Sequence, residues 1–372
     1  RAGFSAIYNR YGTFTNAANI TMGAIDSVGS YGIYNRADFA NNSGGDIKID
    51  RSGFAGININ AGTFDNSAKI TVGSIDSVGS YGIYNRNIVN NNTGGEIIIN
   101  RSSYSGIYNL SGTFNNYASI TIGATHGVGS HGILNEYAFN NLAGNIKIDR
   151  ATDSYILNDN GGYFENDASI TVGTIPTAGI TGVVNNFVFS NNACASLIVK
   201  SRGIVNNTSV AMGNSGFIQV DGNLNNSTIF TNHGVLKYNT LTGTISSPTD
   251  SSVIVNNTPT PIFTYGGTYN GTINGIYTNA AATTPAGTFT APNTFVPGSL
   301  PVGLQTLYAK ITPKGGGCAF IVPFTYMVGP EINLKSNNID IISADSILNY
   351  PDFRAFERSF QLLSQVSGRA GR

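Results

Sequence analysis

The chain has 372 residues, with 20 Lys plus Arg against 20 Asp plus Glu, 46 Gly, no Trp and only 11% charged residues. Zero net charge gives the repeats no electrostatic footprint for nucleic acid or an anionic membrane, and no apolar stretch approaches the roughly 20 residues of a membrane-spanning helix. Its two cysteines, Cys194 and Cys318, lie far apart in different segments, so a disulfide framework is not expected and the redox compartment stays open.

From Ser5 to Asn192 one pattern returns every 50 residues. Gly12-Thr13-Phe14 comes back at Gly62, Gly112 and Gly162, Ile20-Thr21-Met22-Gly23 at Ile70, Ile120 and Ile170, and Gly32-Ile33-Tyr34-Asn35 at Gly82, Gly132 and Gly182. Each unit is a doublet, because Ala6-Ile7-Tyr8-Asn9 precedes Gly32-Ile33-Tyr34-Asn35 by 26 residues and Gly56-Ile57-Asn58-Ile59 follows it by 24. The true unit is about 25 residues holding a Gly-Ile-Tyr-Asn strand, a Phe-centred segment ending in Asn, and an alternating Ile segment. Arg1-Ala2-Gly3-Phe4 matches Arg51-Ser52-Gly53-Phe54, so the N-terminus reads as a cut in mid-repeat.

Strands this short have one apolar face and unpaired backbone on both edges, so no unit is stable alone. Stacking solves both problems: strand n pairs with strand n of the next unit and the inward Ile, Val, Phe and Tyr form one core. The predicted fold is all-β, a right-handed parallel β-helix of about ten coils over residues 1–247, with coils about 4.8 Å apart. Asn9, Asn35, Asn85, Asn109, Asn135, Asn158, Asn185 and Asn206, which close the first strands, are expected to form a side-chain amide ladder. Ile59 stands where the third coil should have Asn, with Asn58 and Asn60 beside it, so the ladder should break or shift there.

After Gly203 the spacing drifts, as expected toward a solenoid end. Proline becomes frequent from Pro248, and Thr306 to Ile311 and Ala319 to Tyr326 alternate, which predicts a small β-sandwich over 248–330. On pattern it resembles the immunoglobulin-like modules of bacterial surface proteins. Residues 331–343 read as a linker or truncated surface-protein repeat. Asp352 to Val366 places Phe353, Phe356, Phe360 and Leu363 at helical spacing, the one amphipathic helix expected.

Ala344 to Arg358, followed by Gln365-Val366-Ser367-Gly368-Arg369-Ala370-Gly371-Arg372, resembles the primosomal protein N-prime family of replication-restart DNA helicases. The resemblance implies that Gln365, Gly368, Arg369 and Arg372 occupy positions lining that family's ATP cleft, where arginines stabilise the transferred phosphoryl group. The 372 residues hold no Gly-x-x-x-x-Gly-Lys-[Ser/Thr] loop for the triphosphate, so an inactive remnant is expected. The abrupt change between about Asn338 and Ser346 suggests that two unrelated reading frames are joined there.

Asp26 and Asp76 recur in the loop Ile-Asp-Ser-Val-Gly-Ser but give way to His126 and Thr177, a pattern of solvated turn carboxylates rather than the paired carboxylates of a glycosidase. Asp50-Arg51, Asn100-Arg101 and Asp149-Arg150 recur on alternate coils and are expected to offset one another at the surface. His126, His131 and His233 share no metal-ligand spacing, and the Gly44 and Gly94 turns lack a calcium pattern, so no metal or cofactor is expected. Tyr8, Tyr34, Tyr84 and Tyr108 alternate with inward Ile and should form an outward stripe, a surface for a glycan or protein partner or a stabilising stack.

In their Gly-Ile-Tyr-Asn and Gly-Thr-Phe-x-Asn phrases the repeats resemble the passenger regions of secreted bacterial adhesins and filamentous haemagglutinin-like surface proteins. That resemblance implies a non-enzymatic, monomeric stalk or adhesin, extracellular or on the bacterial surface, that binds glycan or host and surface proteins along a rigid face. A polysaccharide-active β-helix enzyme is the first alternative, and an inactive helicase fragment, for the tail alone, the second.

Overall fold

A computed structural model describes residues 3–175, 181–207, 212–245, 253–256, 263–265, 272–290, 294–313 and 317–328. The chain divides into two compact units, residues 1–300 with 304–326, and residues 301–303 with 327–372. The described residues are strand and turn, without helix.

Each coil supplies three strands, in the second coil Tyr31–Asn35, Asp38–Asn41 and Asp46–Ile49. Pairing is parallel and runs from coil to coil. Ile33 lies beside Ile57, Tyr34 beside Asn58 and Asn35 beside Ile59 on the first strands; Phe39 lies beside Phe64 on the second and Ile47 beside Ile70 on the third. The parallel stack predicted from the repeat is therefore the fold, a β-solenoid. Eight regular coils run from Ser5–Asn9 to Ser196–Val199. That count is slightly below the expected ten, because the windings that follow are shortened: Phe217–Asn226 and Val235–Gly243 each fuse a third strand to the next first strand. The row of third strands runs on to Val253–Asn256, which pairs in parallel with Val235–Tyr238.

Side chains alternate as the sequence dictates. Ile47 and Ile49 point inward between outward Asp46 and Lys48, and Phe39 and Asn41 point inward beside outward Asp38 and Ala40. The Gly of Gly-Ile-Tyr-Asn exists because the first strand passes close to the third: a Cβ on Gly32 would sit 2.4 Å from Ile49 Cγ2 and 2.7 Å from the Gly56 carbonyl oxygen. The second strands carry a column of stacked rings through the core. Phe14, Phe39 and Phe64 follow one another at 4.7 and 4.8 Å, and Phe114, Phe139, Phe164 and Phe189 at 4.8 to 4.9 Å. Those separations match the rise between hydrogen-bonded strands.

Residues 272–328 form small antiparallel sheets. Thr272–Tyr277, Gly303–Thr312 and Phe320–Val328 make one of three strands, and Gly287–Thr290 with Thr294–Pro297 makes a two-stranded one. Antiparallel pairing is thus what the structure shows of the module expected over 248–330. Ile273, Ile276, Leu307, Ala309, Ile311, Val322 and Phe324 share one buried cluster with Phe217 and Val235 of the solenoid. The reason lies in the third strands, whose first outward position is polar from Asn19 through Ser196 and then becomes Phe217 and Val235.

One expectation is overturned here. Cys194 and Cys318 form a disulfide across 124 residues, with Cα atoms 5.0 Å apart. Separation along the chain carries no information once a solenoid brings its flank beneath a following sheet. Cys194 occupies the turn position that Gly44 and Gly94 fill in earlier coils and, like them, has a positive φ, 67°.

Candidate functional site

The predicted amide ladder exists. Nδ2 of Asn9 donates to Oδ1 of Asn35 at 2.8 Å, and an unbroken run joins Asn85, Asn109, Asn135, Asn158, Asn185, Asn206 and Asn226 at 2.7 to 2.9 Å. It breaks rather than shifts at Ile59, and Asn35 turns its amide to the Ala37, Ala61 and Thr63 carbonyls instead. A second ladder went unrecognised in the sequence. Asn16, Asn41, Asn66, Asn91, Asn116, Asn141, Asn166, Asn191, Asn214 and Asn232, which end the second strands, are joined without interruption at 2.7 to 2.8 Å. The second rail is continuous and the first is interrupted only at the third coil, so together they hold the coils in one rotational setting, which is what an extended surface feature requires.

That feature is aromatic. Tyr8 and Tyr34 make edge contact at 5.4 Å, as do Tyr84 and Tyr108, and Asn58 separates the two pairs. Tyr8 is 45% exposed, whereas Tyr34, Tyr84 and Tyr108 are half-buried, so the stripe is less open than alternation alone implies. The difference comes from a second row that covers its flank. Phe4, Tyr31, Phe54, Tyr81, Tyr104 and His131 follow one another at 5.1 to 5.8 Å. Tyr31 touches Tyr34 at 4.9 Å, and Tyr81 lies 5.0 Å from Tyr84 and 5.3 Å from Tyr108. Together the rows form one continuous aromatic ridge from the first coil to the sixth.

Burial raises the Tyr31, Tyr81 and Tyr108 phenols above their ordinary range, and Tyr108 is raised further because its hydroxyl donates to Glu136 Oε2 at 2.9 Å. At the far end of the ridge His131 is buried, with Nδ1 2.8 Å from Ser154 Oγ, and burial lowers its pKa against the opposing fields of Asp153 and Asp159.

The corners after the third strands differ from expectation. Asp50 and Arg51 do not offset each other. Asp50 is buried and accepts the amides of Ile75 and Asp76 at 2.8 and 3.1 Å, in the loop one coil ahead. Arg51 reaches back to the Gly23 carbonyl at 2.7 Å and to the Ala24 carbonyl, and pairs with Asp76 at 3.1 Å. Asn100 with Arg101 and Asp149 with Arg150 repeat this two-way clamp. The clamp needs a long loop on one coil and a short corner on the next, which is why the sequence period is 50 rather than 25. Asp76 is thereby tied to Arg51, Asp26 is exposed on a different loop, and His126 sits 2.6 Å from Arg101 while His131 faces Ser154. Among the described residues no group of three His, Cys, Asp or Glu is placed to hold a metal ion. A shallow open groove lined by Thr181, Ser201, Gly203, Val205 and Asn223 brings no titratable cluster together.

Thr177, the expected linker over 331–343, the expected helix over 352–366, and Gln365, Gly368, Arg369 and Arg372 lie outside the described residues. No helix among the described residues is long and apolar enough to cross a membrane.

No family model matches the chain, and no solved structure matches it. A 59-residue stretch, 16% of the chain, is 46% identical to the replication restart protein PriA of Bacillus subtilis. A 34-residue stretch, 9% of the chain, is 59% identical to the replication restart protein PriA of Synechocystis sp.. These alignments span 7% and 4% of the two relatives, so the chain covers only a small piece of either. These short matches fit, in part, the C-terminal resemblance to replication-restart helicases.

Proposed function

We propose that the solenoid is a non-enzymatic binding stalk, an extracellular or surface adhesin fragment that engages a glycan or protein partner along the aromatic ridge. The observation that carries this reading is the unbroken run of ring contacts from Phe4 to His131, held on a scaffold whose coils are locked by two amide ladders. Aromatic rings with polar tips are economical contact surfaces, since they offer large area at small conformational cost. The Cys194–Cys318 bond supports an oxidising location. The ion pair that occupies Asp76 favours binding over glycosidic hydrolysis, which needs two carboxylates facing one cleft.

A Tyr34→Ser/Tyr84→Ser double variant should lose binding on an array of glycans and surface proteins while keeping its far-ultraviolet spectrum. Unchanged binding would remove the ridge from the function.

For residues 344–372 the reading is different: we infer a remnant of a replication restart protein joined to an unrelated repeat protein, and inactive alone. The short matches to PriA support it. Independent sequencing of the source DNA across the codons for Asn338 to Ser346 tests it, and an unbroken frame in separate clones would defeat it.

A further inference from the structure

The aromatic ridge has a cationic edge. Tyr8-Asn9-Arg10, Tyr34-Asn35-Arg36 and Tyr84-Asn85-Arg86 repeat one triplet in the first, second and fourth coils. Within each triplet Asn turns inward, so Tyr and Arg emerge on the outer side two residues apart. All three arginines are exposed, and among the described residues none forms an ion pair, in contrast to Arg51, which is bound to Asp76. Their ring contacts lie on or next to the ridge: Arg86 lies 5.4 Å from the Tyr84 ring, and Arg10 lies 5.0 Å from the ring of its neighbour Tyr11. Asp38, a near neighbour of Arg36 in sequence, is engaged with the Thr63 amide. At the same corner the following coils carry Leu110, Glu136 and Asp159, so the positive edge stops after the fourth coil.

We propose that the first four coils bind an acidic polysaccharide lying along the solenoid axis, its sugar rings on Tyr8, Tyr34 and Tyr84 and its carboxylate or sulfate groups at Arg10, Arg36 and Arg86. This rests on the reading of the ridge as a binding face and adds the chemical class. The arginine backbones repeat at one and two coils, about 5 and 10 Å, a regular row of charge that suits a regular polyanion. Two features favour a saccharide over a single-stranded nucleic acid. Bases need open, parallel ring faces on which to stack, but the rings of the first two coils meet at 55° to 74° and present edges and hydroxyls. Phenol hydroxyls and guanidinium groups are instead suited to hydroxyl and carboxylate partners.

The test is affinity electrophoresis of the full chain through gels holding polygalacturonate, neutral mannan or oligothymidylate. Retardation is expected from polygalacturonate only. It should weaken by about tenfold or more in an Arg10→Gln/Arg36→Gln/Arg86→Gln variant, since three exposed charge contacts are removed. Equal retardation by mannan, or no effect of the triple variant, overturns the acidic class. If mannan retardation were then lost in Tyr34→Ser/Tyr84→Ser but kept without the arginines, the ridge would remain a glycan face. Retardation by oligothymidylate equal to that by polygalacturonate overturns the saccharide assignment, and no retardation in either glycan gel overturns the proposal together with its glycan premise.

Discussion

Asn116 gives its side-chain Nδ2 to Oδ1 of Asn141 at 2.7 Å and receives the same bond from Asn91 at 2.8 Å, and all three residues are fully shielded from solvent. An amide in such a rail is donor and acceptor at once, so removing one member affects both neighbours. Replacing Asn116 by Leu should therefore cost about 2–4 kcal/mol: both ladder bonds and the bonds to the Ala118 backbone are lost, and the Asn141 oxygen is left buried without its ladder donor. A shift in the urea midpoint of the circular dichroism signal measures this. A loss under about 1 kcal/mol would mean that the ladder sets register without adding stability.

The disulfide predicts a local effect. Closing a loop of this length in the unfolded chain is worth about 3–5 kcal/mol, and the bond lies beside the cluster that joins Phe217 and Val235 to the antiparallel sheet. Cys318→Ser should leave the coils before Cys194 unchanged while residues 272–328 become susceptible to proteolysis and the solenoid binds a hydrophobic dye. Identical digestion patterns with and without the bond would show that apolar contact alone secures the sheet.

The fold was legible because a parallel solenoid writes its geometry directly into spacing. Ile33 and Ile57 are 24 residues apart and adjacent in space, so the repeat is the contact map. The second ladder was equally legible in principle, since each Phe-centred segment through the eighth coil ends in Asn, but a terminal Asn also reads as an ordinary turn former. The second aromatic row was hidden for another reason. Phe4, Phe54 and Tyr104 precede the first strand while Tyr31, Tyr81 and His131 open it, so the spacing alternates between 27 and 23 and keeps the 50-residue period of the doublet but not the 25-residue period of the unit. The Arg clamps and the Cys194–Cys318 bond depend on backbone direction at corners, which residue type alone does not specify.

The ridge should respond to alkali. Tyr31, Tyr81 and Tyr108 are held above the ordinary phenol value mainly by burial, so the folded protein keeps these protons at a pH where the unfolded chain has released them. Their contribution to stability is complete below pH about 10 and is lost as pH rises through the folded-state values. Glu136→Gln removes the carboxylate that accepts the Tyr108 hydroxyl, and the Tyr108 transition should move down toward the ordinary value. Near-ultraviolet phenolate absorbance follows this directly. Superimposable titrations of the variant and the parent would deny Glu136 any part in it.

The phenylalanine column is interrupted at Val89, a gap that decides how tightly the backbone ladders fix the coil spacing. Val89 sits in register between Phe64 and Phe114, buried at 1% exposure, where the neighbouring coils have a ring. If main-chain pairing holds the coils at one rise, the smaller side chain leaves slack that the column cannot close. Val89→Phe should then complete the stack and stabilise by up to about 1–2 kcal/mol, the worth of an aromatic pair together with recovered contact. If the core has instead relaxed around valine, the same change overpacks it and costs about 1–3 kcal/mol. Phe139→Ala, in the middle of the unbroken run, supplies the scale, with an expected loss of about 3–5 kcal/mol. The sign of the Val89→Phe effect, read from chemical denaturation against that scale, separates a rigid solenoid whose hydrogen bonds dictate packing from one whose side chains do.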